Sequence, residues 1–145
     1  MREVKKQALV PHSSEEMFDL VNDVDAYPEF LPWCASARVL EEGDGFRVAN
    51  IEIAKGGVGK TFTTRNTLVR PTHLTIDLVE GPFRHLKGDW DFDSLGEDAC
   101  KVSLHLQFEF SSVLMNMVFG PVFNQVSDTM LDAFVRRARA IHGNR

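Results

Sequence analysis

The chain has 145 residues, 21 acidic and 16 basic side chains, and a formal net charge of −5. That length suits one domain, and 43% hydrophobic with 26% charged residues is ordinary globular usage, which excludes a disordered, collagen-like or coiled-coil chain. Two cysteines make neither a disulfide framework nor a four-cysteine zinc site, and the acidic balance argues against broad nonspecific binding to nucleic acid.

Arg2 to Val10 reads as a strand, ended by Pro11. Ser13 or Ser14 can cap a helix, with Glu15 and Glu16 in its first turn and Met17, Phe18, Leu20 and Val21 as its apolar face. No apolar stretch follows the charged N-terminus, and no run reaches membrane-spanning length. A cytoplasmic protein with reduced thiols is expected, with at most transient membrane contact. In Tyr27-Pro28-Glu29-Phe30-Leu31-Pro32-Trp33, two prolines punctuate a short helix or turn. Its clustered aromatics suit either a pocket lid or a plain cap over the core.

The middle of the chain alternates with period two, the signature of antiparallel strands with one wet face. Ile51 and Ile53 alternate with Glu52; Phe62 and Leu68 share a face with Thr64 and Asn66; Leu74, Ile76 and Leu78 follow. Leu86, Trp90 and Phe92 share parity with Gly88, and Cys100, Val102, Leu104, Leu106, Phe108 and Phe110 alternate with polar residues. After Ser111-Ser112 the period becomes helical. Gly120-Pro121 interrupts it, since proline clashes with the preceding turn. The spacing of Val122, Val126, Met130 and Phe134 then predicts a long helix from Pro121 to Ile141, about 31 Å at 1.5 Å per residue. The predicted fold is α+β, a single domain over 1–145: six or seven antiparallel strands curved round the last helix.

One motif misleads. Lys55-Gly56-Gly57-Val58-Gly59-Lys60-Thr61 looks like a phosphate-binding loop, but that chemistry needs a helix to follow. Thr61 to Val69 alternates like a strand, so a glycine hairpin turn explains the glycines. No catalytic set emerges. The histidines are scattered, Cys34 lacks an activating neighbour, and Asp89, Asp91 and Asp93 alternate as a solvated strand face would. No metal or covalent cofactor is expected.

Four segments taken together are similar to a known family: Tyr27 to Cys34, Phe62-Thr63-Thr64-Arg65-Asn66, Gly81 to Phe92, and Phe119-Gly120-Pro121-Val122-Phe123. In this order, over the whole chain, they resemble the coenzyme Q-binding START-like (polyketide cyclase/lipid transport) family, and within it the bacterial RatA branch of ribosome association toxins. The resemblance implies a helix-grip fold and no shared catalytic residues. For the quinone-binding relatives it implies binding of ubiquinone in support of respiration. For the RatA branch it implies binding to the large ribosomal subunit and a block of subunit joining.

Parity and helical phase give the candidate ligand site: Tyr27, Phe30, Trp33, Phe62, Thr64, Asn66, Leu86, Trp90, Phe108, Phe119, Phe123, Val126 and Met130. These residues either pack as a core or line a cavity. Thr64, Asn66 and the Trp90 indole could donate to the carbonyls of a ubiquinone-like isoprenoid lipid, or could be satisfied within the protein. The lead reading is non-enzymatic binding of such a ligand, with no DNA partner. Ribosome binding is the alternative, with Arg136, Arg137 and Arg139 as its cationic contact, unless these are only a solvated helix end. A cyclase-like activity in the same cavity would need an inward acid or base.

Overall fold

Alternation decides the sheet. In β7 (Cys100–Phe110) every second side chain is buried and those between are half-buried. A computed structural model describes residues 1–143. It places β7 beside β1 (Arg2–Val10) and β6 (Phe83–Ser94), followed by β5 (His73–Glu80), β4 (Val58–Val69), β3 (Phe46–Lys55) and β2 (Cys34–Gly43). The sheet has seven strands in the order β1-β7-β6-β5-β4-β3-β2, with every neighbouring pair antiparallel. Strands β2 to β7 form a meander. Only β1 crosses over, joining β7 in one unbroken register from Arg2↔Phe108 to Val10↔Cys100. Irregularities at Cys34/Ser36, Val39/Glu41, Thr63/Thr64 and Phe83/His85 bend the strands and help curl the sheet.

Helices close the concave side. Helix α1 (Ser14–Asn22) opens on a capping box: Ser13 Oγ accepts from the Glu16 amide at 3.1 Å, and Glu16 accepts from the Ser13 amide at 2.9 Å. Its buried Met17, Phe18, Leu20 and Val21 are the apolar face read from sequence. A 3-10 turn (Val24–Ala26) and the short α2 (Tyr27–Phe30) lead into β2. The last helix, α3, spans Val113–His142 without a break. This corrects the expected start near Pro121. The cap is Ser112, whose hydroxyl accepts from the Met115 amide at 3.0 Å, and Pro121 lies inside the helix. The proline costs little continuity here. The carbonyl it leaves unpaired belongs to Met117, on the solvent side, where water can serve it.

The apparent phosphate loop is a hairpin. Lys55 ends β3, Val58 starts β4, and Gly56 and Gly57 bridge them with φ of 60° and 82°. Two successive positive φ values define the tight turn that matches strand twist, and they favour glycine.

Candidate functional site

Strands β3 to β7 curve round α3 and leave a mainly apolar cavity of about 60 Å³ between sheet and helix. Ten expected residues line it: Tyr27, Trp33, Phe62, Thr64, Asn66, Leu86, Trp90, Phe123, Val126 and Met130. Ile51, Ile53, Ile76 and Leu104, read as inward by parity, also face it. Val24, Leu106 and Phe134 complete the wall and were missed by sequence reasoning. Leu106 shares the parity of Leu104, and Phe134 lies four residues after Met130, so both carried a signal. Val24 sits in an irregular turn and carried none.

Three expected residues lie outside this wall. Phe108 and Phe119 belong to an aromatic cluster below the cavity. Phe108 packs edge-on against Phe123 at 4.8 Å, and Phe119 against Phe83, Phe110 and Phe123 at 5.7 to 6.2 Å. Both point inward, as parity and phase require, but at this level the rings of sheet and helix meet and leave no space. Phe30 lies at the outer edge of α2. It packs edge-on against Phe134 at 5.4 Å and carries the Arg137 guanidinium over its ring, 4.9 Å from the ring centre.

The cavity's polar inventory is short. Thr64 Oγ1 donates to Asn66 Oδ1 at 3.0 Å, and both residues are buried. The Tyr27 hydroxyl donates to the Val21 carbonyl, which ties α2 to the end of α1. Burial, with the charges of Cys34 and Asp23 nearby, pushes the Tyr27 phenol far up. The wall contains no carboxylate, imidazole, amine or thiol; its hydroxyls are the Tyr27 phenol, held neutral, and that of Thr64, bound to Asn66. Gly88 sits on β6 between Ile76 and Leu106. A Cβ there would stand 3.2 Å from Leu106 and 3.4 Å from Ile76, so the bare backbone lets these two side chains close in over β6.

Chemistry elsewhere is muted. Burial raises Cys34 to about 11, helped by Glu52, and raises Cys100 to about 11, helped by Asp93. A buried, protonated thiol is a poor nucleophile. On the outer face, His73 lies 2.7 Å from Asp91 and 3.2 Å from Asp89, and Asp93 lies 3.9 Å from Lys101. The alternating carboxylates therefore form cross-strand pairs on a wet face. No metal-binding group of His, Cys, Asp and Glu exists among the described residues. Nor is any described helix long and apolar enough to cross a membrane.

The three C-terminal arginines differ from one another. Arg136 lies 4.0 Å from Asp132, and Arg137 is half-buried against Phe30 with Glu29 at 3.5 Å. Arg139 is exposed and makes no ion pair among the described residues.

Known proteins agree with this architecture. A family model described as polyketide cyclase/dehydrase and lipid transport matches residues 10–135. The ribosome association toxin RatA of Vibrio cholerae is 48% identical over 143 residues, covering 99% of each chain. A mitochondrial coenzyme Q-binding protein, COQ10 homolog B of Xenopus laevis, is 28% identical over 97% of this chain and 59% of its own length. The crystal structure of the Zhui aromatase/cyclase of a Streptomyces species superposes with a TM-score of 0.79 over 99% of each chain at 21% identity, a likeness of fold. The chain belongs to the polyketide cyclase/dehydrase and lipid transport family, and its curved sheet round one long helix is a helix-grip fold.

Proposed function

We propose that this protein is a cytoplasmic ribosome association toxin that binds the large ribosomal subunit and hinders its joining to the small one. The observation that carries the reading is 48% identity to a protein of that name, spread over 99% of both chains. An exposed face must make the contact, because the cavity is closed over by α3 and offers rRNA nothing. Arg139 and Arg136 are candidates at the end of α3; Arg137 is already committed to Glu29 and Phe30. Sedimentation with purified large subunits at low and high salt tests the proposal. Binding at low salt that weakens steeply with salt is expected, together with fewer joined ribosomes. Absence of binding at low salt overturns it.

A second reading concerns the cavity. It takes an apolar ligand with a carbonyl head, of which ubiquinone is an example. The supporting observation is the buried Thr64–Asn66 pair in an otherwise aliphatic and aromatic wall. That bond uses the Asn66 acceptor and leaves its N–H donors for a ligand carbonyl. At about 60 Å³ the space is well below the roughly 300 Å³ of a drug-sized pocket, so a quinone ring must displace the half-buried Met130 and Tyr27 on entry. Native mass spectrometry of the protein from its own cells tests this. A copurified lipid, lost in Phe123→Asp, supports it. No copurified lipid, and no shift of melting temperature with short-chain ubiquinone, removes it.

A further inference from the structure

The first two turns of α3 are unusual for a chain that is 26% charged. Between Glu109 and Asp128 there is no charged residue. Val113, Leu114, Met117 and Val118 are 78%, 68%, 70% and 45% exposed. Leu114, Val118 and Pro121 follow one another at helical spacing, with Val113 and Met117 beside them, so the exposed aliphatic groups form one stripe. The stripe leads to Gln125, and there it meets the β3–β4 hairpin, because Lys55 Nζ donates to Gln125 Oε1 at 2.6 Å.

That hairpin is the basic counterpart. From Ile53 to Ile76 the sequence has Lys55, Lys60, Arg65 and Arg70 and no carboxylate. Lys60 pairs with Ile53, and Lys55 with Val58, so both lysines lie on the strand face that turns toward α3. Neither makes an ion pair among the described residues. Of the carboxylates on β3 and its neighbours, Glu52 pairs with Thr61 and Asp77 with Arg65, which puts both on the other strand face; Arg84 faces Glu109 at 3.7 Å, and Arg2 holds Asp128 at 2.7 Å.

We propose that this stripe and the two lysines form a docking surface for an anionic lipid bilayer. Aliphatic side chains exposed on a helix gain by entering the acyl boundary, and lysines beside them reach anionic head groups with their long stems. The aliphatic half of this surface fits neither water nor RNA. The stripe has no aromatic ring for a base to stack on and no donor for a phosphate. The opposite side of the same helix carries Phe123 and Val126 into the cavity, so docking sets one wall of the cavity against the membrane. The inference goes beyond the ribosomal reading and does not rest on it.

Cosedimentation with vesicles tests it, using phosphatidylcholine alone and phosphatidylcholine mixed with phosphatidylglycerol. The intact chain binds the mixed vesicles and releases with salt. Leu114→Ser/Met117→Ser lowers this binding on the order of tenfold with an unchanged melting temperature, since both residues are exposed. Lys55→Gln/Lys60→Gln lowers it roughly fivefold per lysine, and on mixed vesicles alone. A folded intact chain that ignores both vesicles overturns the proposal. So does equal binding by either double variant. If Leu114→Ser/Met117→Ser instead dissolves a dimer, or abolishes binding to large subunits while vesicles remain unbound, the stripe serves a protein partner and the lipid proposal is wrong.

Discussion

Two buried hydroxyl and amide groups carry the chemistry of the cavity. Thr64 and Asn66 satisfy each other within an apolar wall, and such a pair adds little to stability over apolar residues of similar shape. The expected outcome is a double-mutant cycle in urea. Asn66→Leu alone costs about 1 kcal/mol, because it leaves the Thr64 hydroxyl unpaired, whereas Thr64→Val/Asn66→Leu returns to near the parent stability. The double variant should lose any carbonyl ligand, so stability and binding move apart. The thiols give a second residue-level outcome. Burial raises both Cys34 and Cys100 from an ordinary 9.0 to about 11. The unfolded chain therefore releases these protons first as pH rises. Their contribution to stability is whole below about pH 9 and is lost between about 9 and 11. Urea midpoints across that range should fall, and the fall should be shallower in Cys100→Ala. A midpoint independent of pH would show that the thiols ionise equally in both states.

At the scale of elements, capping and the proline set the helices. Ser13 supplies one half of a reciprocal cap on α1, a helix whose face is buried in the core. Ser13→Ala should cost about 1 kcal/mol, seen as a lower melting temperature. Ser112 caps α3 with a bond of similar length, yet the turns it caps are exposed. Ser112→Ala should therefore fray α3 locally. Hydrogen exchange should speed up over Val113 to Met117, with little change in the global melt. Equal effects of the two changes on the melt would mean that the first turns of α3 are part of the cooperative core. Gly120-Pro121 illustrates what local rules leave open. A proline inside a helix is expected to end it, and an exposed carbonyl one turn earlier lets the helix continue.

For the whole molecule, sheet and α3 make two different contacts along one helix. Toward its start, Phe83, Phe108, Phe110, Phe119 and Phe123 fill the space with rings. Further along, Val126 and Met130 line the cavity, and Phe134 closes it by packing edge-on against Trp90 at 5.5 Å. Large-to-small and small-to-large changes should separate the two zones. Phe123→Ala, at the junction, should cost about 3–5 kcal/mol. Val126→Phe adds a ring toward existing space, so its cost should stay under about 1.5 kcal/mol while any copurified lipid disappears. Thermal melts and native mass spectrometry on the same preparations check both. A collapse of the fold in Val126→Phe would mean that the void does not persist in solution.

The sequence by itself determined the antiparallel sheet, the burial of one side of each strand and the helical grip at the end, because period two and period 3.6 state which faces must be dry. It also excluded the phosphate loop, since Thr61 to Val69 alternates where that chemistry needs a helix. It placed Tyr27, Trp33, Phe62, Thr64, Asn66, Leu86, Trp90, Phe123, Val126 and Met130 in one group, and these residues line one cavity. Tertiary structure alone decided where inward residues touch and where they leave a gap. Parity gives Phe108 and Trp90 the same direction, but only the distance between sheet and helix makes one a packed ring and the other a cavity wall. It alone decided which cations are spent: Arg137 meets Glu29 across more than a hundred residues of chain, and Lys55 meets Gln125. Pattern fixes the direction of a side chain, whereas packing distance and long-range charge pairing depend on how the curved sheet and α3 settle against each other.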